Sequence, residues 1–270
     1  MDQIRKDRMK LSISNIAWSA ENDIEMYRFL QETGFQGLEI APTRIFPLNP
    51  YNHISEARLW AEKLKDNYSL VISSMQSIWH GHSEPIFGTA EERKILIEYT
   101  RKSVDFAEAI GCKNLVFGNP KNRDTNEVDS VMPVAIDFFK EIGDYAAEHN
   151  TVIALEANPI IYNTHFMNYT YQAVEMAYKA NSAGIRVNVD LGTIIHNEED
   201  VYSLKQISEY INHVHISEPF LNLIKPREIH QQLFTILKDL DYSGFVSIEM
   251  ANKGNIQEVK ETIKYIKSCN

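Results

Sequence analysis

Val152-Ile-Ala-Leu-Glu156 is a short, nearly all-apolar run that ends in a carboxylate, and it is not alone. Arg186-Val-Asn-Val-Asp190, His213-Val-His-Ile-Ser217 and Phe245-Val-Ser-Ile-Glu-Met250 follow it down the chain. Upstream stand Leu11–Ile16, Gly37–Ile40, Leu70–Gln76 and Asn114–Gly118. Compact β-branched runs of this kind read as strands, and the longer amphipathic stretches between them read as helices. The helix ends carry their own signals. Thr89-Ala-Glu-Glu92 has the capping-box pattern, and Gly111 is placed to end that helix in the left-handed conformation. Glu21–Thr33 stops at Gly34, Ser130–His149 has Pro133 in its first turn, and Asn255 caps a last helix with Glu258 three residues on. Parallel strands need long crossovers. Eight β-runs alternating with helices therefore predict an α/β fold, a (β/α)8 TIM barrel in which residues 1–270 form one domain.

Composition narrows the function. The 270 residues carry 27 Lys+Arg against 37 Asp+Glu, a formal net charge of −10. A nucleic-acid surface rests on a basic field, so no nucleic-acid partner is expected. Cys112 and Cys269 are the two cysteines, too few for a disulfide framework or a thiolate zinc site. The charged start Met1–Lys10 lacks the apolar run of a signal peptide, and no stretch approaches a membrane span. A cytoplasmic enzyme with no membrane partner is the expectation.

In such barrels the chemistry gathers at the C-terminal ends of the strands. Runs five to eight end in Glu156, Asp190, His215 (two residues before its run closes at Ser217) and Glu249. Strand residues alternate faces, so Asn188 shares a face with Asp190, Ser247 with Glu249, and His213 and Ser217 with His215. The intervening Val and Ile residues face the helices. A structural ion-pair network would place Lys or Arg among the three carboxylates, yet Arg186 is the one candidate and lies at the wrong end of its strand. Converging carboxylates without a cation repel one another, and a divalent metal resolves this. The oxygen-rich donor set suits Mn2+ first, then Mg2+ or Co2+, with Zn2+ as a further option.

These residues also carry a family resemblance. Ser12–Trp18, Gly34-Phe-Gln-Gly37-Leu-Glu39-Ile40, Ala154-Leu-Glu156-Ala-Asn158, Asn188-Val-Asp190-Leu-Gly192, His213-Val-His215-Ile-Ser-Glu218 and Tyr242-Ser-Gly244-Phe-Val-Ser-Ile-Glu249 follow one another in order. In this the chain resembles the sugar phosphate isomerase/epimerase group of xylose isomerase-like barrels, which includes ketose 3-epimerases and hydroxypyruvate isomerase-like enzymes. The resemblance implies that Glu156, Asp190, His215 and Glu249 bind one divalent metal, and that Glu156 and Glu249 are the catalytic acid/base pair. It implies proton transfer through an enediolate on a small sugar or hydroxy-carbonyl compound, by an isomerase or epimerase. The rival readings are a metal-dependent hydrolase or dehydratase, and a silent sugar-binding barrel. A homo-oligomer is compatible with the resemblance.

Substrate contacts are less sharply marked. Several ketose epimerases have His three residues after the strand-six Asp, where this chain has Thr193; they have Arg six residues after the metal His, where it has Leu221. His196, Arg227 and His230 are nearby substitutes, each better read as helix surface. Ser77-Ile-Trp79-His80-Gly81-His82 follows run three; its two histidines suit a substrate, with His82 as the leading contact, or a second metal, and a lid or plain surface loop is the equal alternative. Trp18 reads equally as an apolar pocket wall and as an ordinary buried aromatic. Glu39 is placed to bond a sugar hydroxyl or orient His82, with a structural carboxylate as the plainer reading. Gln76, Asn119, Asn158, Thr193 and Glu218 complete the candidate substrate-binding set. Arg44 and Lys121 lack the Gly-rich cradle of a phosphate site.

Overall fold

A computed structural model describes residues 9–270, so most of the charged start, Met1–Arg8, lies outside the described residues. Eight parallel strands close into a barrel in chain order. They are β1 Lys10–Ser14, β2 Gly37–Ile40, β3 Val71–Met75, β4 Leu115–Phe117, β5 Ile153–Glu156, β6 Ile185–Asp190, β7 Ile211–Ile216 and β8 Phe245–Ile248. Closure is made by β1 on β8, with Lys10 opposite Phe245 and Ile13 opposite Ile248. Each strand leads into a helix: α1 Asp23–Thr33, α2 Ile54–Tyr68, α3 Ala90–Ala109, α4 Val128–Glu148, α5 Thr170–Ala180, α6 Leu191–Asn197, α7 Glu228–Asp239 and α8 Ile256–Cys269. No helix among the described residues is long and apolar enough to cross a membrane.

Strand parity decides what goes where. Val187, Val189, Val214, Ile216, Val246 and Ile248 are buried against the helices. Their alternates Asn188, His213, His215 and Ser247 are equally buried but fill the barrel interior with polar groups. There Ser12 Oγ meets Ser73 Oγ at 2.5 Å, and Asn114 Nδ2 donates to Ser74 Oγ at 2.9 Å. Such groups need partners because desolvation without a hydrogen bond costs about 1–3 kcal/mol each.

The capping signals hold in detail. Thr89 Oγ1 accepts from the Glu92 amide while the Glu92 carboxylate accepts from Thr89 N, and Asn255 Oδ1 accepts from Gln257 N. Gly34 and Gly111 have φ of 77° and 72°. Several boundaries move by one or two residues. β1 ends at Ser14 because the chain turns into a 3-10 segment, Asn15–Ala17, where buried Asn15 Oδ1 accepts from the Ala41 amide. β7 starts two residues before His213. α4 begins at Val128, since the Ser130 and Val131 amides donate to the Glu127 carbonyl, and Pro133 consequently sits in the second turn.

Candidate active site

The polar interior column converges on His215, fully buried on β7. Its Nε2 lies 2.8 Å from Glu39 Oε2, and its Nδ1 faces Glu156 Oε2 at 3.1 Å and Glu249 Oε2 at 3.2 Å. The barrel puts these residues together: β7 is hydrogen-bonded to β8, so the residue after β8 stands beside His215, while β5 lies two strands away on the other side. Glu39 reaches the ring from β2 across the barrel floor. The same Glu39 oxygen sits 3.1 Å from His213 Nε2, and Glu39 Oε1 accepts from Gln76 Nε2 at 3.3 Å. Burial alone would raise the Glu39 pKa, but the two imidazoles outweigh it and hold the carboxyl well below its usual range. For His215 burial lowers the pKa, and the Glu39, Glu249 and Glu156 carboxylates outweigh it and push it well up.

Glu156 is held at both oxygens. Asn158 Nδ2 donates to Oε1 at 3.0 Å and Asn188 Nδ2 to Oε2 at 2.5 Å. Behind Asn158 lies Arg123, wholly buried, whose Nη2 donates to Asn158 Oδ1 at 2.6 Å while Nε and Nη1 have no partner. Burial lowers the Arg123 pKa to about 9, against the pull of Glu156. Glu249 is raised to about 7, by burial first and despite His215. Asp190 is raised to about 6 by burial and by the neighbouring Glu156.

Asp190 doubles as the cap of α6. Its Oδ2 accepts from the Thr193 amide at 2.8 Å and from Thr193 Oγ1 at 2.9 Å, and its Oδ1 accepts from Ser217 Oγ. Ser217 Oγ in turn accepts from Gly192 N at 2.8 Å. A side chain at Gly192 would put its Cβ 2.7 Å from Ser217 Oγ, so this close approach requires glycine.

A metal fits this donor set. Ligand atoms of Glu156, His215 and Glu249 lie within 4.8 Å of one another, and Asp190, the register partner of His215, is outside that cluster. With Nε2 anchored on Glu39, His215 presents Nδ1 to two carboxylate oxygens, where the positive charge is supplied by a ring proton or, with the ring neutral, by a bound cation. A carboxylate behind a histidine is the arrangement that fixes the ring of a metal ligand. The other His-containing group, Glu39 with His213 and His215, is enclosed by the barrel and does not line the cavity.

A cavity of about 350 Å³ opens over these groups at the C-terminal mouth. Glu156, Asp190, Glu249, Gln76, Asn119, Asn158 and Glu218 line it. Others of the expected set do not. His82 is turned away, its Nδ1 3.0 Å from Glu84 and its ring 3.9 Å from that of Tyr99, and His80 lines the cavity instead. Trp18 is buried beside the mouth, where its indole N–H donates to Asp23 Oδ1. Glu39 meets neither substrate space nor His82, because both its oxygens are taken inside the barrel. Thr193 is likewise occupied, bonding Asp190 and the Ala157 carbonyl. Glu218 reaches the cavity, but Arg227 holds both its oxygens at 2.7 Å, so Arg227 is a clamp and not a bare helix surface. His230 is buried in helix packing with Tyr265, and Leu221 lines the cavity.

The sequence reading missed Arg123, Tyr162 and the bonding role of Asn188. Asn188 was signalled by its parity with Asp190. Nothing local singled out Arg123 over Lys121, because its partner Asn158 lies 35 residues away.

Comparison with known proteins fits this architecture. No curated protein matches the chain by sequence. The fold is similar to 3-keto-D-glucoside 4-epimerase YcjR from E. coli, at 20% identity and TM-score 0.78 over 97% of this chain and 100% of that one. It is similar to D-psicose 3-epimerase from Clostridium cellulolyticum H10, at 14% identity and TM-score 0.73 over 95% and 90%. It also resembles the probable 3-DHS dehydratase AsbF from Bacillus anthracis, at 18% identity and TM-score 0.69 over 95% and 98%. The family model for the xylose isomerase-like TIM barrel matches residues 27–269. With the closed eight-strand barrel and the model covering nearly its whole length, the chain belongs to the xylose isomerase-like TIM barrel family.

Proposed function

We propose that this protein is a divalent-metal-dependent epimerase or isomerase of a small carbohydrate or hydroxy-carbonyl compound, with Mn2+ as the preferred ion. The observation that carries the reading is that Glu156 and Glu249 approach the same His215 nitrogen, at 3.1 and 3.2 Å, from different sides of an open cavity. The expected ligands are Glu156, Asp190, His215 and Glu249. A bound divalent ion would offset the converging negative charge and polarise a substrate carbonyl.

The chain's own residues do the rest. One glutamate takes the proton from the carbon next to the carbonyl; the C–H electron pair forms a carbon–carbon double bond and the carbonyl π pair moves onto its oxygen. The other glutamate returns a proton to the opposite face, which inverts that carbon, or a proton is returned at the neighbouring carbon, which moves the carbonyl. Asn158 and Asn188 hold Glu156 in place for this transfer. Asn119 offers a neutral amide toward sugar hydroxyls, beside Gln76 and Asn158, whose amides are also bonded within the site. The likeness to two epimerases of sugar substrates supports this reading at the level of fold.

The test is solvent exchange. Metal-stripped protein reloaded with Mn2+ and incubated with a ketose panel in D2O should place deuterium on the carbon beside the carbonyl. Glu156→Gln and Glu249→Gln should each abolish it. No exchange across the panel with a filled metal site would overturn the reading, and loss of water from the exchanged product would move it to dehydration. Failure to bind Mn2+ at all would overturn the ligand assignment.

A further inference from the structure

The cavity mouth has two unlike walls. On one side, Gln76 and His80, after β3, and Asn119, after β4, set amide and imidazole groups beside Val116 and Pro120. Across the ring, Tyr162 after β5 and Leu221 after β7 form an apolar side. Phe220 continues that side outward, its ring 5.7 Å from the Tyr162 ring and the residue 59% exposed. An aromatic ring left in water costs the free energy that its burial would otherwise gain.

This lip is also expensive to build. Phe220 and Leu221 have φ of 60° and 51°, a left-handed conformation in two successive residues with side chains. Three loops hold them there. The Phe220 amide donates to the Tyr162 hydroxyl at 2.7 Å, the Leu221 amide to the Glu218 carbonyl at 2.9 Å, and the Ala251 amide to the Leu221 carbonyl at 2.9 Å. The Phe220 backbone is thus held next to Tyr162 and Leu221, which line the cavity, and its ring lies against that of Tyr162 on the outer side of the carboxylates that hold the reacting sugar in the proposed reading.

The lining also says what charge the occupant has. Among the described residues it contains Glu156, Asp190, Glu218 and Glu249 and no Lys or Arg. A phosphate on the outer ring would find no Lys or Arg side chain in the lining, whereas an uncharged ring with an apolar C–H face and polar edges suits an aromatic lip facing amide and imidazole groups.

The geometry points to a substrate that is an uncharged glycoside: the reacting sugar lies between Glu156 and Glu249, and a second ring attached to it stacks on the Phe220–Tyr162 lip. This rests on the proposed placement of the reacting sugar, but it is tested separately from turnover. Saturation-transfer NMR and titration with phenyl β-D-glucopyranoside and methyl β-D-glucopyranoside read the lip with no reaction needed. The phenyl glycoside should bind about three- to tenfold more tightly than the methyl glycoside, the range one aromatic stack supplies. Saturation should be strongest on the phenyl protons. Phe220→Ala should bring the two affinities together, and Phe220→Trp should keep them apart. Equal affinities in the unaltered protein, a preference that survives Phe220→Ala, or no binding of either glycoside would each overturn the inference. A Phe220-dependent preference without deuterium exchange on any ketose would leave the subsite standing and sink the chemistry. Exchange on ketoses with equal glycoside affinities would do the reverse.

Discussion

Replacing Glu39 by Gln removes one charge and almost no volume from the barrel floor. The carboxylate is wholly buried, its Oε2 shared by His213 Nε2 and His215 Nε2 at 3.1 and 2.8 Å. A glutamine oxygen can still face the two imidazoles, and Gln76 can turn its amide over to meet the new NH2 group, so the fold should survive. What disappears is the negative charge that holds His215 with Nδ1 toward Glu156 and Glu249. Loss of a carboxylate behind a ligating histidine costs about 10–100-fold in metal affinity. At a Mn2+ concentration of about 100 times the original Kd, binding stabilises the fold by about 2.7 kcal/mol. A loss of about 30-fold leaves the ratio near 3 and the stabilisation at about 0.8 kcal/mol. Calorimetric titration should show the weaker Kd directly, and thermal melts should show a Mn2+-induced rise in Tm smaller by several degrees. A folded Glu39→Gln protein that binds Mn2+ as tightly as the original would refute the placement of Glu39 behind a metal ligand.

Three other outcomes check different parts of the site. Glu249 and Asp190 have folded-state pKa values raised to about 7 and about 6, so the stability of the neutral carboxyls is present at low pH and is lost as pH climbs through those values. Melts of metal-free protein should fall between about pH 4 and 7, from the ordinary carboxylate pKa up to the raised ones, and excess Mn2+ should flatten that slope; a metal-free Tm independent of pH would contradict the convergence of charges. Gly192→Ala gains about 1 kcal/mol of helix propensity but pushes Ser217 off Asp190, at a cost of about 1–3 kcal/mol. Tm and Mn2+ affinity should both drop, and a rise in Tm would show that the Ser217–Asp190 contact is dispensable. Arg123→Met strips the donor from Asn158 Oδ1 while removing a buried cation with two unpaired N–H groups. These effects oppose one another, so Tm should change by no more than a few degrees while deuterium exchange slows by about tenfold or more; unchanged exchange would detach Arg123 from Glu156.

Much of this was open to inspection in the chain itself. Alternation in Arg186–Asp190, His213–Ser217 and Phe245–Glu249 separated the helix-facing Val and Ile residues from the interior polar set, and the structure keeps that division. Period-two alternation is a local property of extended backbone, which is why it can be read without knowing any strand's neighbour. Caps behaved likewise, since Thr89 and Asn255 act on amides two or three residues away.

The loops and the barrel floor obey no such local rule. Which histidine of His80-Gly81-His82 faces the cavity depends on Glu84 and Tyr99 drawing His82 outward. Thr193 looks like a substrate contact by position, but the start of α6 turns it onto Asp190. Glu218 looks free until Arg227 clamps it.

The sequence by itself determined the eight βα units, the inward parity of their polar residues, and a Glu-Asp-His-Glu series at four consecutive strand ends. Only the closed barrel decided that Glu39 of β2 would stand beneath His215 of β7, 176 positions apart, and that Arg123 would back Glu156 through Asn158. The physical reason is closure: local periodicity says which way a side chain points, while the partner it meets across the interior is set by all eight strands joining into one ring.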